Sequence, residues 1–322
     1  MKKFFSLMLF NILFMPITVY ASEYLIASGR TIGVELKSDS VLVVGSYKIH
    51  DNDVFSNSSL KIGDKIIQVD DNKVTSTKEL QDVINKIDGN KVKVTYLRNN
   101  QKYETEVDLY LDDGIYKTGL YVRDSIRGVA TLTYIDPSDK TFGALGHEIV
   151  EKSSKSKFEA DNGTIFSSIV TGITKSSNGS PGEKNARSNS SDVIGKVLEN
   201  TNSGVFGIYT DTLPNSKLYK VANDNDVKPG AAEILTVIDG NKIEKFSINI
   251  LKLNNNSKTK NILFEVTDKN LLDKTGGIIQ GMSGSPIIQG DYIVGAVNYV
   301  LVDSPKKGYG ISISNMLREA KN

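Results

Sequence analysis

One serine in this sequence is surrounded by small residues that suit covalent chemistry. Residues 281–286 read Gly-Met-Ser-Gly-Ser-Pro. A nucleophilic hydroxyl needs a tight turn whose backbone N–H groups face a developing oxyanion, and Gly281 and Gly284 allow such a turn. The hexapeptide therefore predicts Ser283 as a nucleophile, with the backbone N–H groups of Gly281 and Ser283 as its oxyanion hole. For so short a motif, the alternative interpretation is an ordinary Gly/Ser turn between two strands.

A base for this serine must come from one of two histidines, His50 and His147. His50 lies in a polar turn, which is typical of a solvated loop histidine. His147 lies among small residues in the segment 142–150, where a base could approach another group closely. Because the chain has no cysteine, covalent catalysis falls to Ser, Thr or Lys, and His147 is the imidazole that could activate Ser283. A Ser/Lys dyad using a lysine such as Lys274 is the mechanistic alternative.

The acid that would orient His147 is not chosen by spacing. Asp268 lies 15 positions before Ser283 (283 − 268), at the end of an apolar strand. A solvated turn is the default role for any single aspartate. Three further acids are physically admissible: Asp192, Asp211 and Asp239.

The order of base and nucleophile favours one class of hydrolase. His147 precedes Ser283 by 136 positions (283 − 147), which is similar to the order in chymotrypsin-like proteases, with the base on the first β-barrel and the nucleophile on the second. An α/β-hydrolase is disfavoured because Ser285 replaces a required glycine and no long helix follows. A zinc protease is disfavoured because no second histidine follows Glu148 at the required offset. No metal or other cofactor is predicted.

Composition sets outer limits on the function. The chain has 322 residues, long enough for two domains, with 39% apolar and 24% charged residues. Its formal net charge is only +1, so no global field would recruit nucleic acid or an anionic membrane. We therefore expect no nucleic-acid partner, and partner choice must come from local sites.

The N-terminus predicts export. Lys2 and Lys3 precede an apolar stretch over residues 4–20, and a small-residue cleavage site follows at residues 19–21. The stretch is short for a membrane span and contains Pro16, so cleavage is favoured over retention as an anchor. Residues 1–21 are predicted to be a signal peptide or N-terminal membrane segment, and the remainder an extracytoplasmic body that is either free or associated with the membrane.

Residues 24–109 alternate as short strands around one amphipathic helix. A Leu-x-x-Gly-Asp-x-Ile segment begins at Leu60, and the helix is capped by Ser76 or Thr77. This order resembles a PDZ domain, which implies a groove for an extended peptide. The groove would be formed by a terminus-binding loop and the helix wall, with these residues: Thr31, Ile32, Gly33, Val34, Leu80 and Val83. In the alternative, this domain only packs against the second one and binds no peptide.

The rest of the chain predicts a linker and then a β domain. Residues 110–118 are the predicted linker, and residues 119–322 contain β-rich segments with turns between them, typical of a sandwich or barrel. Residues 315–320 predict a terminal helix. The segment 175–191 is rich in Ser, Asn and Gly, so we expect a mobile or functional loop there.

Five segments together carry a more specific resemblance. Residues 119–124, 142–149, 178–184, 275–280 and 281–286, following a PDZ-like module, are similar to the SpoIVB peptidase family of sporulation signalling proteases. The resemblance implies a mainly β protein with a PDZ domain followed by a chymotrypsin-like double β-barrel. It places the family's histidine, serine and aspartate on His147, Ser283 and Asp268, and on this basis Asp268 outranks the other acids. Glu148 and Glu151 depart from the expected pattern and leave fine specificity open.

The resemblance also implies a biological role. Such a protease would cross the inner forespore membrane into the intermembrane space and process itself near its own N-terminal region. It would then cleave a membrane-bound regulator so that a mother-cell sigma factor is activated. Two alternatives stay open: a PDZ-bearing extracytoplasmic adaptor with an inert protease-like domain, and a housekeeping envelope protease, although the latter type carries its PDZ domain after the protease.

Overall fold

The computed structural model describes residues 23–320, and the predicted N-terminal export segment lies outside them. The described chain is mainly β, as predicted. Its strands are β1 (Tyr24–Ala27), β2 (Thr31–Ser46), β3 (Lys65–Val69), β4 (Asn72–Lys73), β5 (Lys91–Arg98), β6 (Gln101–Asp108), β7 (Tyr110–Asp112), β8 (Ile115–Lys117), β9 (Leu120–Ile135), β10 (Thr141–Ala144), β11 (Val150–Glu151), β12 (Ser156–Lys157), β13 (Asn162–Thr174), β14 (Glu183–Thr201), β15 (Gly204–Tyr209), β16 (Leu218–Val221), β17 (Gly230–Val237), β18 (Ile243–Leu253), β19 (Ile262–Val266), β20 (Pro286–Gln289), β21 (Tyr292–Val300) and β22 (Lys307–Ser312). Its helices are α1 (Val54–Asn57), α2 (Thr77–Ile84), α3 (Lys269–Thr275) and α4 (Ile313–Glu319).

Two closed barrels form the larger part of the molecule. In the first, each strand pairs with the next in the order β2, β13, β14, β15, β10, β9 and back to β2. In the second the order is β17, β18, β19, β22, β21, β20 and back to β17. Strand β1 pairs with β9, and β16 pairs with both β1 and β21, so a short ladder joins the two barrels. The predicted double barrel is confirmed.

The PDZ domain is built around the second half of β2. That half pairs with β3, which continues to β4 and β5, and β5 pairs with β6. Helix α2 closes the core from one side, and its cap Ser76 accepts a hydrogen bond from the Glu79 N–H at 3.2 Å. Asp64, in the predicted Gly-Asp turn, accepts hydrogen bonds from the Arg98 Nε and one terminal nitrogen at 2.7 Å each.

Strand β2 belongs to both domains, although the sequence predicts residues 24–109 as one separate PDZ-like domain. Its even-numbered side chains, including Ile32, Leu36 and Leu42, enter the core of the first barrel. Its odd-numbered Val41 and Val43 enter the PDZ core. Because successive side chains of a strand point to opposite faces, one continuous strand serves two hydrophobic cores. The first half of β2, within the predicted PDZ-like domain, is therefore part of the peptidase barrel.

Two segments expected to be irregular are regular. Within the predicted linker, β7 and β8 form a hairpin whose turn residues Asp113 and Gly114 both have positive φ. The expected loop at 175–191 is wrong beyond residue 182, because β14 begins at Glu183 and pairs with β13. Ser and Asn favour loops locally, but in this segment the hydrogen bonds of the ladder to β13 override that preference for irregular structure. Among residues 23–320, no helix is long and apolar enough to cross a membrane.

Candidate active site

The loop that carries Ser283 is held by two threonines of the first barrel. The Thr131 N–H donates to the Ser283 carbonyl at 3.0 Å, and the Thr131 hydroxyl donates to the Gly281 carbonyl at 2.7 Å. The Thr133 hydroxyl donates to the Gly284 carbonyl at 2.7 Å. Both threonines belong to β9, so one strand of the first barrel fixes three carbonyls of a loop that precedes β20 in the second.

Turning these carbonyls inward leaves two N–H groups of the loop without partners. The N–H groups of Met282, Gly284 and Ser285 donate to backbone carbonyls. Within residues 23–320, those of Gly281 and Ser283 donate to no other group. Free N–H groups beside a nucleophile are what an oxyanion hole requires. The oxyanion role of these two groups stays a prediction, now with a physical basis in the tethered carbonyls.

His147 follows β10 and is held as a neutral base. Its Nδ1 lies 2.8 Å from the Glu148 carbonyl oxygen, so Nδ1 carries the proton and Nε2 is left as an acceptor. Its ring stacks on Tyr299 with centroids 5.4 Å apart. Burial lowers the pKa of the His147 imidazole below its usual 6.5, which keeps it unprotonated at neutral pH.

The two predicted catalytic side chains meet the same stretch of β21. The Ser283 hydroxyl donates to the Asn298 carbonyl at 3.0 Å, and the next residue, Tyr299, contacts His147. The register of β21 shifts between Val297 and Tyr299, and this β-bulge turns the Asn298 carbonyl out of the ladder. Ser283 and His147 thus contact adjacent residues of β21, and no hydrogen bond joins the two side chains.

Asp268 is placed elsewhere, as the cap of a helix. Its Oδ1 accepts from the Leu271 N–H at 2.9 Å and its Oδ2 from the Ser247 N–H at 3.4 Å, which begins α3. Within the described chain, neither Asp268 nor any other carboxylate is hydrogen-bonded to His147. The three alternative acids, Asp192, Asp211 and Asp239, likewise make no bond to it. Any catalytic role of Asp268 stays a prediction from the family resemblance.

A cleft of about 540 Å³ opens beside His147. Its walls include Val129 of β9, Gln280 and Tyr299. The Leu132 N–H points to β2, whereas the Thr131 N–H points to Ser283, so the alternation of the strand directs the Val129 N–H and carbonyl towards the cleft. This wall offers main-chain groups to an extended peptide.

The predicted PDZ groove is wrong in its strand. Residues 31–34 pair with β9 on one side and the stretch 32–34 with β13 on the other, so no edge is free for a peptide. The groove helix is covered as well: the Thr77 N–H and hydroxyl donate to Asp124 of β9 at 2.8 and 3.0 Å. Leu80 is buried in the PDZ core, and Val83 packs against it. The prediction failed because a β-strand edge that looks free in one domain is used by the barrel of the next.

Lys184 is the site residue that the sequence predictions missed. It is buried at the junction of the barrels, and its Nζ lies within hydrogen-bond distance of three hydroxyls: Thr31 at 3.4 Å, Thr131 at 3.3 Å and Thr236 at 2.8 Å. The available signal was its place in the segment 178–184, one of the segments that carried the family resemblance. Lys274, the lysine considered for a Ser/Lys dyad, is exposed in the last turn of α3. No His, Asp or Glu cluster among the described residues could hold a metal ion.

Together, the double barrel, the serine on its tethered loop and the adjacent histidine define a serine peptidase that carries a PDZ domain. The profile of the SpoIVB peptidase S55 family matches residues 114–317, and that of the PDZ domain matches residues 31–109. The chain belongs to the SpoIVB peptidase S55 family and is a serine peptidase that hydrolyses peptide bonds.

The other comparisons add little. Among solved structures, the PDZ domain of the SdrC-like protein from Listeria monocytogenes is 28% identical, covering 26% of this chain and 87% of that one, with a TM-score of 0.23. The search of curated proteins finds no match.

Proposed function

We propose that Ser283 and His147 are the catalytic pair of this peptidase. In the first step, the Ser283 hydroxyl rotates about χ1 from the Asn298 carbonyl to His147 Nε2, which takes its proton as Oγ attacks the scissile carbonyl carbon. His147 then returns the proton to the leaving amine. In the second half of the reaction His147 takes a proton from water, which attacks the acyl-enzyme, and returns it to Ser283 Oγ as the acid product leaves. The Glu148 carbonyl, which accepts from Nδ1, holds the tautomer that this requires.

The oxyanion of the tetrahedral intermediate would be held by the N–H groups of Gly281 and Ser283. The observation that carries this proposal is that both N–H groups are free while the carbonyls of the same residues are tied to Thr131. Each such donor contributes about 3 kcal/mol to the stabilisation of a transition state in well-studied hydrolases. Catalysis here would depend on the rigidity of one loop.

The substrate would be a protein segment in extended conformation. It would lie in the cleft along Val129 of β9, with main-chain hydrogen bonds supplying affinity and apolar walls selecting side chains. Following the family, we propose that the substrates are the chain's own N-terminal region and a membrane-associated regulator in sporulation signalling. We further propose that the protein acts after export across the inner forespore membrane.

A comparison of two full-length proteins tests this proposal. Wild type and Ser283→Ala would be expressed, purified and sequenced from the N-terminus, and both would be treated with a fluorophosphonate probe. We expect the wild type to be labelled at Ser283 and shortened near its N-terminus, and Ser283→Ala to be unlabelled with only a signal-peptide cleavage. Self-cleavage by Ser283→Ala, or a wild type that the probe does not label, would contradict the assignment.

A further inference from the structure

Lys184 stands out among the side chains not used by the proposed mechanism, because it is a lysine buried without a counter-charge. Its amine contacts Thr31 of β2, Thr131 of β9 and Thr236 of β17, which belong to both barrels. These hydroxyls are neutral, and no acid within residues 23–320 forms an ion pair with Lys184. Burying an unpaired lysine destabilises a fold, so its presence requires a compensating benefit.

The same side chain lies directly beneath the catalytic loop. A Cβ added at Gly281 would lie 3.1 Å from Lys184 Cβ and 3.2 Å from its Cδ, so the loop packs on the alkyl chain. The Lys184 N–H also donates to the Gln280 carbonyl at 2.9 Å. Lys184 therefore contacts both Gln280 and Gly281, and the Gly281 N–H is one of the two predicted oxyanion-hole donors.

Two hydroxyls connect the amine to the rest of the loop. Thr131 accepts from Lys184 Nζ and donates to the Gly281 carbonyl. Thr236 accepts from Lys184 Nζ and from the Ser285 hydroxyl at 2.9 Å. Lys184 thus contacts the loop at Gly281 and is linked to it on both sides of Ser283.

Resting on the proposed function, we propose that Lys184 is a positioning residue of the active site. Its amine nitrogen holds Thr131 and Thr236 so that the N–H groups of Gly281 and Ser283 stay aimed at the oxyanion. The lysine touches neither the nucleophile nor the base, so it acts through the loop.

Protonation should disturb this arrangement. The Thr131 hydroxyl hydrogen is already donated to Gly281, so Thr131 accepts from the amine, whereas Thr31 or Thr236 is free to donate to the amine lone pair. An ammonium could donate to all three hydroxyls, but no carboxylate here neutralises its charge. Desolvation lowers the pKa of Lys184 to about 7. The neighbouring charged residues do not face it: the Arg30 guanidinium bonds to Tyr209 and Ser167, and Glu183 is exposed.

The test measures how fast a fluorophosphonate labels Ser283 in the full-length protein between pH 5.5 and pH 9. Lys184→Met keeps the alkyl bulk, and Lys196→Met, an exposed lysine on the same strand, is the matched control. For wild type we expect two ionisation steps, one near pH 7 and one lower from His147. For Lys184→Met we expect a plateau rate about tenfold lower and no step near pH 7, whereas Lys196→Met should match wild type.

Lys184→Met that folds and keeps both the wild-type plateau and the wild-type pH profile would overturn the proposal. If Lys184→Met does not fold, Thr131→Val decides, because it keeps the lysine and removes the hydroxyl that links it to Gly281. That variant should keep the wild-type circular dichroism spectrum and be labelled about tenfold more slowly, and labelling at the wild-type rate would refute the role. A wild type that is not labelled would instead contradict the assignment of Ser283.

Discussion

Replacing Lys184 with methionine should change how stability depends on pH. Burial lowers the pKa of Lys184 from 10.5 to about 7 in the folded chain. Between these values the unfolded chain binds a proton that the folded chain does not, so the free energy of unfolding rises with pH. The full effect is about 5 kcal/mol, from about 3.5 pH units at 1.36 kcal/mol each. Methionine removes the titrating group and with it this slope.

The assay is urea unfolding followed by far-UV circular dichroism at pH 7, 8 and 9. At pH 7 we expect Lys184→Met to be the more stable protein, because an apolar side chain replaces a buried unpaired amine. From pH 7 to pH 9 the difference should shrink by about 2 kcal/mol, because the folded lysine is half-protonated at pH 7 and the slope approaches about 1.36 kcal/mol per pH unit only above that pH. Losing the hydrogen bonds to the threonines offsets part of the gain by an amount that does not vary with pH.

Lys196→Met provides the control for this measurement, because the exposed lysine it removes should leave the difference from wild type flat across the same range. A difference between wild type and Lys184→Met that is also flat would refute the reasoning, since it would mean that Lys184 stays protonated in the folded protein up to pH 9.

Three further substitutions test other parts of the structure. Gly284→Ala should abolish labelling of Ser283, because φ is +93° and a Cβ would lie 2.1 Å from the Thr131 carbonyl; wild-type labelling would show that the loop adapts. Asp268→Ser keeps a cap for α3 without the charge; the family resemblance predicts a folded variant that is not labelled, and labelling within about twofold of wild type would contradict a catalytic role for the carboxylate. Asp64→Ala should lower the free energy of unfolding in urea by about 2 kcal/mol, because it removes the buried carboxylate that accepts two hydrogen bonds from the partly exposed Arg98; an unchanged free energy would contradict a structural role for this pair.

The chemistry of the centre could be predicted because histidine is rare in this chain. With two histidines and no cysteine, His147 was the natural base for a serine set between glycines. The acid could not be chosen in the same way, because carboxylates are common and spacing does not report their direction. In the structure Asp268 is the N-cap of α3, and its side chain accepts a hydrogen bond from the Leu271 N–H. Aspartate is a preferred residue at this position of a helix.

The PDZ domain is confirmed, but its predicted peptide groove failed for a different reason. The order of strands and helix was predicted well, but the groove depends on which edges remain unpaired, and that is decided by contacts far apart in sequence. Residues 32–34 pair with β9 and β13, and the Thr77 N–H donates to the Asp124 carboxylate. A local hydrophobic pattern predicts which face of a strand is buried, but it does not predict which strands pair with its edges.

By itself, the sequence determined the class of the protein: strand periodicity predicted a mainly β fold, and a glycine-flanked serine with one suitable histidine predicted a serine peptidase. Only the tertiary structure decided how the loop is held, because Thr31, Thr131, Lys184 and Thr236 come from four separate strands and meet where two barrels join. Their spacing along the chain carries no sign of that meeting, since it is produced by barrel closure and burial. Lys184, which the sequence alone does not distinguish from the many surface lysines, thus lies beneath the catalytic loop.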